Sequence, residues 1–207
     1  MGQESTGTEP ARLGVLLLLS GPAGAGKSTI LRTAVENDPG LRFSVSCTTR
    51  PPREGEVDGG DYHFLSDDDF AAKVEAGEFL EHAGVHKWHY GTLRESVVGL
   101  LEGGVDVVMD VDVQGAEQIR ACGDATVGRA LVDVFVMPPD TAELESRLRA
   151  RGSESEETFR LRMKNALAEI EHWPKYRYRI LSTSRDEDSA AFEHIIAAER
   201  LRVSRFC

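Results

Sequence analysis

Apolar positions along the chain fall into two recurring patterns, continuous runs and residues three or four apart. The runs are Leu13–Leu19, Val105–Val111, Leu131–Met137 and a shorter piece near Tyr178–Leu181. Runs this short, bounded by turn residues, read as strands buried on both faces. Segments of helical spacing lie between them. One runs from about Gly26 to Glu36 and stops at Asp38-Pro39-Gly40; another carries Leu93, Val97, Val98 and Leu101 and stops at Gly103-Gly104. A third covers Gln114–Cys122. Pro138-Pro139-Asp140 then breaks the third long run and caps a helix with Leu144 and Leu148. Phe159, Met163, Ala166, Leu167 and Ile170 mark a further amphipathic helix, and Ser189–Leu201 a terminal one. Strands alternating with helices predict an α/β fold, a central parallel sheet flanked by helices on both faces.

Residues 42–92 break this rhythm. A short strand, Arg42–Ser46, leads into a polar stretch from Cys47 to Gly60 that is too long for a simple connection. Ser66-Asp67-Asp68-Asp69 offers a capping box for a helix with Phe70 and Val74 on one face. A short strand, Glu78–Glu81, and a loop with Trp88, His89 and Tyr90 follow. The segment reads as an insertion with its own short strands. Residues 1–11 are polar and read as a disordered tail.

Composition narrows the classes. The chain has 207 residues, 41% hydrophobic and 29% charged, the balance of one soluble globular domain with insertions. A net charge of −11 opposes a broad nucleic-acid surface, which draws its affinity from Lys and Arg. No apolar run approaches the roughly 20 residues that span a bilayer. Cys47, Cys122 and Cys207 are too few and scattered for a disulfide framework or a zinc site, so a reducing cytoplasm is expected. His63, His82, His86, His89, His172 and His194 show no metal-ligand spacing and read as structural.

The first candidate chemistry is Gly21-Pro22-Ala23-Gly24-Ala25-Gly26-Lys27-Ser28, directly after the first apolar run, which fits G-x-x-x-x-G-K-[ST]. Its backbone N–H groups would surround phosphate oxygens at a helix N-terminus. Lys27 would reach the β- and γ-phosphates and the Ser28 hydroxyl would ligate Mg²⁺. A secretory leader is the competing reading, from Leu13–Leu19 followed by Ala23-Gly24-Ala25. Glu4 and Glu9 offset Arg12, so the positive flank of a leader is missing.

The second is Ser46 to Tyr62, where Arg50 and Arg53 stand beside the hydroxyls of Ser46 and Thr49. Guanidinium forks with hydroxyl donors suit a phosphate dianion, and a solvated basic turn explains the same residues equally well. This stretch and the glycine loop together resemble guanylate kinases over residues 13–200, because S-x-S-x-T-T-R-x-P-R-x-G-E followed by Tyr is that family's mark.

The resemblance implies a P-loop kinase with a GMP-binding insertion and a mobile helical lid, transferring the γ-phosphoryl group of ATP to GMP with Mg²⁺. It places Gly21, Pro22, Ala23, Gly24, Ala25, Gly26, Lys27, Ser28 and Thr29 at ATP. Ser46, Arg50, Arg53, Tyr62 and Tyr90 fall at the GMP phosphate, Glu81 and Thr92 at guanine, and Glu56 among the further GMP-binding positions. Guanine offers N1–H and N2–H₂ to a carboxylate side by side, and the Thr92 hydroxyl can serve O6; read alone, Glu81 is an ordinary solvent-facing strand residue. Val107-Val108-Met109-Asp110-Val111-Asp112 ends in two acids that the family places near GMP, and acids there can also orient the waters of Mg²⁺. Their separate roles stay open.

The stretch Arg147 to Glu157 resembles the family's lid, with Arg147, Arg151 and Arg162 expected over the triphosphate and Gly152 as a hinge. Residues 12–41, 93–138 and 171–207 would then form the core, 42–92 the GMP-binding insertion and 139–170 the lid. Partners are small molecules, ATP and GMP or dGMP, with no nucleic acid and no membrane, for a monomer or homodimer. Two departures stand out. Lys87-Trp88 replaces the usual Gly-Asn before Tyr90, and Ser182-Thr183 replaces Asn-Asp in a region that contacts adenine. The competing functions are a diverged kinase for another phosphate acceptor and a non-catalytic module that binds a protein through the old GMP site.

Overall fold

A computed structural model describes residues 11–150 and 155–206. The tail reading therefore falls almost wholly outside the described residues, as do Arg151 and Gly152. Strand β1 (Leu16–Ser20), buried throughout, feeds the glycine loop and helix α1 (Lys27–Asn37), and strand β2 (Leu41–Phe43) follows. Strands β3 (Cys47–Thr48) and β4 (His63–Phe64), helix α2 (Asp67–Glu75) and a hairpin of β5 (Phe79–Val85) and β6 (Trp88–Leu93) come next. Helix α3 (Arg94–Glu102), strand β7 (Asp106–Asp110), helices α4 (Val113–Ala121) and α5 (Ala125–Ala130) and strand β8 (Leu131–Met137) return to the core. Helices α6 (Thr141–Ala150) and α7 (Glu156–Ile170), strand β9 (Tyr178–Leu181) and helix α8 (Arg185–Arg200) complete the sequence of elements.

The main sheet has five parallel strands in the order β2-β7-β1-β8-β9. A separate four-stranded mixed sheet runs β4-β3-β6-β5. Alternation along β1 explains how one strand serves two cores. Leu17 and Leu19 pack with Val134, Val136, Ile30 and Phe192 on the α1/α8 side, while Leu16 and Leu18 pack with Met109, Leu101 and Ile119 on the other. Each such leucine contributes about 1.5–3 kcal/mol by leaving water. Because β1 is central, its C-terminal end, where the loop begins, sits between the ends of β7 and β8. Open parallel sheets bind ligands outside that edge.

A buried ionic knot closes the back of the sheet. Asp106, fully buried at the start of β7, accepts from the Val15 backbone N–H at 2.7 Å, Arg12 Nη1 at 2.7 Å and Arg200 Nε at 2.6 Å. Three acceptor contacts make the burial of this charge tolerable.

Several boundaries differ from the sequence reading. The first strand begins at Leu16, since Leu13 N–H donates to the Arg205 carbonyl and Gly14 N–H to that of Leu101. The run Arg42–Ser46 is not one strand: the chain leaves the main sheet after Phe43 and enters the second sheet at Cys47. Trp88, His89 and Tyr90 belong to strand β6 and not to a loop, and β5 reaches Val85. Helix α5 was not anticipated, and α8 starts at Arg185, where Ser184 caps it by accepting from Glu187 N–H.

Candidate active site

Two sets of residues meet at the C-terminal edge of the main sheet. The first is the glycine loop. A Cβ at Gly21 would stand 2.0 Å from the Val136 carbonyl oxygen, so β8 leaves no room there for a side chain. Gly26 takes the left-handed region (φ 98°) at the N-cap of α1, and no side chain caps the helix. The helix N-terminus is thus left to an anion. Lys27 Nζ donates to the Gly21 carbonyl at 2.7 Å and lies 3.8 Å from Asp110 Oδ1. Ser28 Oγ donates to Asp110 Oδ2 at 3.3 Å. Burial raises the Asp110 carboxyl above the ordinary range, with Lys27 and Ser28 pulling the other way.

The second is a cleft of about 540 Å³ between the end of β7 and the face of the β5–β6 hairpin. Of the expected acceptor-side residues, Ser46, Tyr62, Glu81, Tyr90, Thr92, Asp110 and Asp112 line it. Glu81 and Thr92 are register partners, and Thr92 Oγ1 donates to Glu81 Oε1 at 2.8 Å. Burial raises the Glu81 carboxyl, Thr92 opposes the rise and Asp112 adds to it. Asp112 is the N-cap of α4, where its Oδ1 accepts from Gly115 N–H at 2.7 Å.

Arg50, Arg53 and Glu56 are not among the lining residues. Glu56 bridges the other two: Oε1 accepts from Arg50 Nη2 and Oε2 from the Arg53 backbone N–H, both at 2.7 Å. The Arg50 guanidinium lies 5.4 Å from the centre of the Tyr62 ring, which itself meets Tyr90 edge-on at 6.1 Å. The arrangement is a basic group seated behind two phenols at the mouth of an acid-walled cleft.

A family model described as guanylate kinase matches residues 14–199. The guanylate kinase of Cereibacter sphaeroides is 48% identical over 94% of this chain and 91% of its own length, and that of Paramagnetospirillum magneticum 48% over 94% and 89%. The chain belongs to the guanylate kinase family. Its fold agrees: the crystal structure of guanylate kinase from Anaplasma phagocytophilum superposes with a TM-score of 0.72 at 30% identity, covering 96% of this chain and 92% of that one.

For a guanylate kinase, three placements are informative. Arg147 is docked on the residue that follows β9: Nε donates to Glu143 Oε1 at 2.6 Å, Nη1 to Ser182 Oγ at 2.8 Å and Nη2 to the Ser182 carbonyl at 3.2 Å. Arg162 sits half-buried on α7, and Arg151 is outside the described residues. Trp88 shares a strand face with Tyr90 and Thr92 at the far tip of the hairpin, opposite Val85, with Lys87 Nζ 4.8 Å from its ring centre. The Lys87-Trp88 departure is therefore remote from the Glu81–Thr92 pair in register.

Sequence reasoning missed the apolar wall of the cleft, Phe43, Ala83, Val85 and Met109. Phe43 and Val85 are 44% and 47% exposed. The period-two pattern Glu81-Ala83-Val85 was the available signal, hidden because the strand was ended at Glu81. Among the described residues no helix is long and apolar enough to cross a membrane.

Proposed function

We propose that the chain transfers the γ-phosphoryl group of ATP to GMP, giving ADP and GDP, with one nucleotide on each side of Asp110. The supporting observation is the double contact of that residue. Asp110 lines the cleft that holds Glu81 and Thr92, and it also meets Ser28 and Lys27 of the glycine loop. An acceptor read by Glu81 and a donor gripped by the loop would face each other there.

The chemistry asks little of covalent catalysis. The attacking atom is an oxygen of the GMP phosphate, already anionic, so no general base is needed. Transfer proceeds in line as the bond to the ADP oxygen breaks. Positioning of the two nucleotides and neutralisation of charge lower the barrier. Ser46, Arg50, Arg53, Tyr62 and Tyr90 hold the GMP phosphate, with Glu56 keeping the Arg50 guanidinium and the Arg53 backbone in place. Glu81 accepts from guanine N1–H and N2–H₂; the Thr92 proton, now given to Glu81, turns to serve O6. Lys27 follows the β- and γ-phosphates, and Arg151 and Arg162 cover the transferred group. In this division 42–92 is the acceptor unit and 139–170 the lid.

Mg²⁺ fits the site. Ser28 Oγ and Asp110 Oδ2 are oxygen donors 3.3 Å apart beside the loop, the ligand type this cation prefers. Among the described residues no group of three His, Cys, Asp or Glu could hold a metal unaided, so the ion would be shared with the donor's phosphates. Bound there, Mg²⁺ offsets the phosphate charge.

The test is ADP release with ATP, Mg²⁺ and GMP by the native protein and by Lys27→Ala. The variant should fold normally and lose about 10³-fold or more in kcat. Near-native turnover would remove the assigned role of the loop.

A further inference from the structure

Glu169, near the C-terminal end of α7, is half-buried, yet among the described residues its carboxylate has no hydrogen bond and no ion pair. A carboxylate drawn out of water without a partner costs stability, and such groups concentrate at functional sites.

The chain just beyond α7 is held against α4, the helix that Asp112 caps. Lys175 Nζ donates to Glu117 Oε1 at 2.6 Å, and His172 Nδ1 lies 3.5 Å from the same oxygen. Glu169 precedes His172 by one turn, and Arg162 lies two turns further back on the same face of α7. Burial raises the Glu169 carboxyl; the Lys27 ammonium opposes the rise, Asp112 adds to it and His172 opposes it. Glu169 thus stands within the fields of Lys27 from the glycine loop and of Asp112 from the acceptor cleft.

Lys27 is the cation these acids share. Its Nζ lies 3.8 Å from Asp110 Oδ1, and its charge also reaches Glu169. If the loop holds the donor's triphosphate, as proposed above, the phosphates claim Lys27. Asp110, Asp112 and Glu169 are then left facing a polyanion. Salt screens partly buried charges much less than exposed ones, so this repulsion persists at ordinary ionic strength. With Mg²⁺ on the phosphates, the same acids face the largest positive charge in the site and the penalty is lifted.

We propose that Glu169 is a specificity-determining residue for the donor: it opposes ATP without Mg²⁺ and tolerates or supports ATP with it, through its charge and not as a metal ligand. The inference rests on the assignment of the loop to ATP. It adds a discrimination, between metal-free and metal-bound donor, that the assignment does not contain.

The experiment measures ATP binding by calorimetry without GMP, so that no transfer occurs, once in EDTA and once in saturating Mg²⁺. The native protein should bind ATP more tightly with Mg²⁺. Glu169→Gln keeps the shape and removes the charge. It should tighten ATP in EDTA by about tenfold without tightening it in Mg²⁺, so the gain from Mg²⁺ shrinks by about the same factor. Glu171→Gln removes an equal charge two residues on, at an exposed position, and should leave the gain unchanged. An unchanged gain in Glu169→Gln, or an equal loss of it in Glu171→Gln, overturns the inference and leaves ATP at the loop. A native affinity that ignores Mg²⁺ does the same. No binding of ATP by the native protein in either condition overturns the assignment of the loop, and this inference with it. If Glu169→Gln fails to fold, Glu169→Asp takes its place. It draws the charge back by one methylene and should shrink the gain by a smaller factor, and no change in it overturns the inference.

Discussion

Thr92 Oγ1 donates to Glu81 Oε1 at 2.8 Å across the β5–β6 pair, inside a cleft whose opposite wall carries Asp110 and Asp112. In the free protein the threonine hydroxyl thus steadies one carboxylate oxygen, a contact it exchanges for guanine O6 when Glu81 takes the base. Thr92→Val keeps the shape of a residue only 1% exposed and removes the proton. KM for GMP is expected to rise about tenfold, with KM for ATP unchanged. Glu81→Gln should act more strongly, lowering kcat/KM for GMP about 10²-fold or more, because an amide cannot accept from N1–H and N2–H₂ together. Steady-state kinetics with each nucleotide varied in turn separates the two effects. Equal losses for GMP and ATP would contradict the base-reading role.

Glu56 does not line the cleft, yet it holds the Arg50 guanidinium and the Arg53 backbone N–H. Glu56→Ala should free the Arg50 guanidinium, loosen the turn at Arg53 and raise KM for GMP by about tenfold while the ATP parameters hold. Glu56→Asp, too short to bridge both partners, should fall between. A kinetic profile of Glu56→Ala indistinguishable from native would remove the bridge from the account.

The acids of the site impose a pH-dependent cost on the free protein. Burial raises Glu81 and Asp110 in the fold, so above the ordinary carboxylate range their ionised forms are disfavoured by folding. Between the unfolded and folded pKa values the native state holds more protons than the unfolded state, and stability falls as pH rises. Glu81→Gln and Asp110→Asn should therefore raise the melting temperature at pH 7, with the gain shrinking as pH drops to about 4, where the unfolded carboxylates also protonate. Calorimetry across this range checks the sign. A lower melting temperature for both variants at pH 7 would contradict it.

Asp106 tests a purely structural contact. It is fully buried between Arg12, Arg200 and the Val15 N–H, at the end of the sheet away from the glycine loop. Asp106→Ala leaves two guanidinium groups without their shared partner and should cost about 3–5 kcal/mol. Specific activity per folded molecule, measured well below the melting point, should be unchanged.

Legibility in the sequence followed how local each signal was. Strands β8 and β9 have the bounds their apolar runs suggested, because Pro138 stops the first run and the polar Ser182-Thr183-Ser184 stops the second. Helix α5 escaped notice: it is six residues long, contains Gly128 and abuts β8 with no turn between them. Strand β6 was read as a loop because Trp88-His89-Tyr90-Gly91 lacks an apolar–polar contrast, although Trp88, Tyr90 and Thr92 share one face. Within the site, the loop from Gly21 to Ser28 and the stretch that carries Arg50, Arg53 and Glu56 are short-range and legible as motifs, whereas the Glu56 bridge itself is not. The Arg147–Ser182 hydrogen bond joins residues 35 apart. Glu81 meets Asp112 only because two separate sheets converge, and no spacing in the chain announces that.

The most direct measurement is ADP release with ATP and Mg²⁺ against GMP, dGMP, AMP, CMP and UMP in parallel. Glu81 in a buried, acid-walled cleft predicts GMP, with dGMP following it, and kcat/KM for AMP lower by about 10³-fold or more. Comparable rates with AMP, or a preference for a pyrimidine, would contradict the assignment of Glu81 and Thr92 to guanine and with it the account of the cleft.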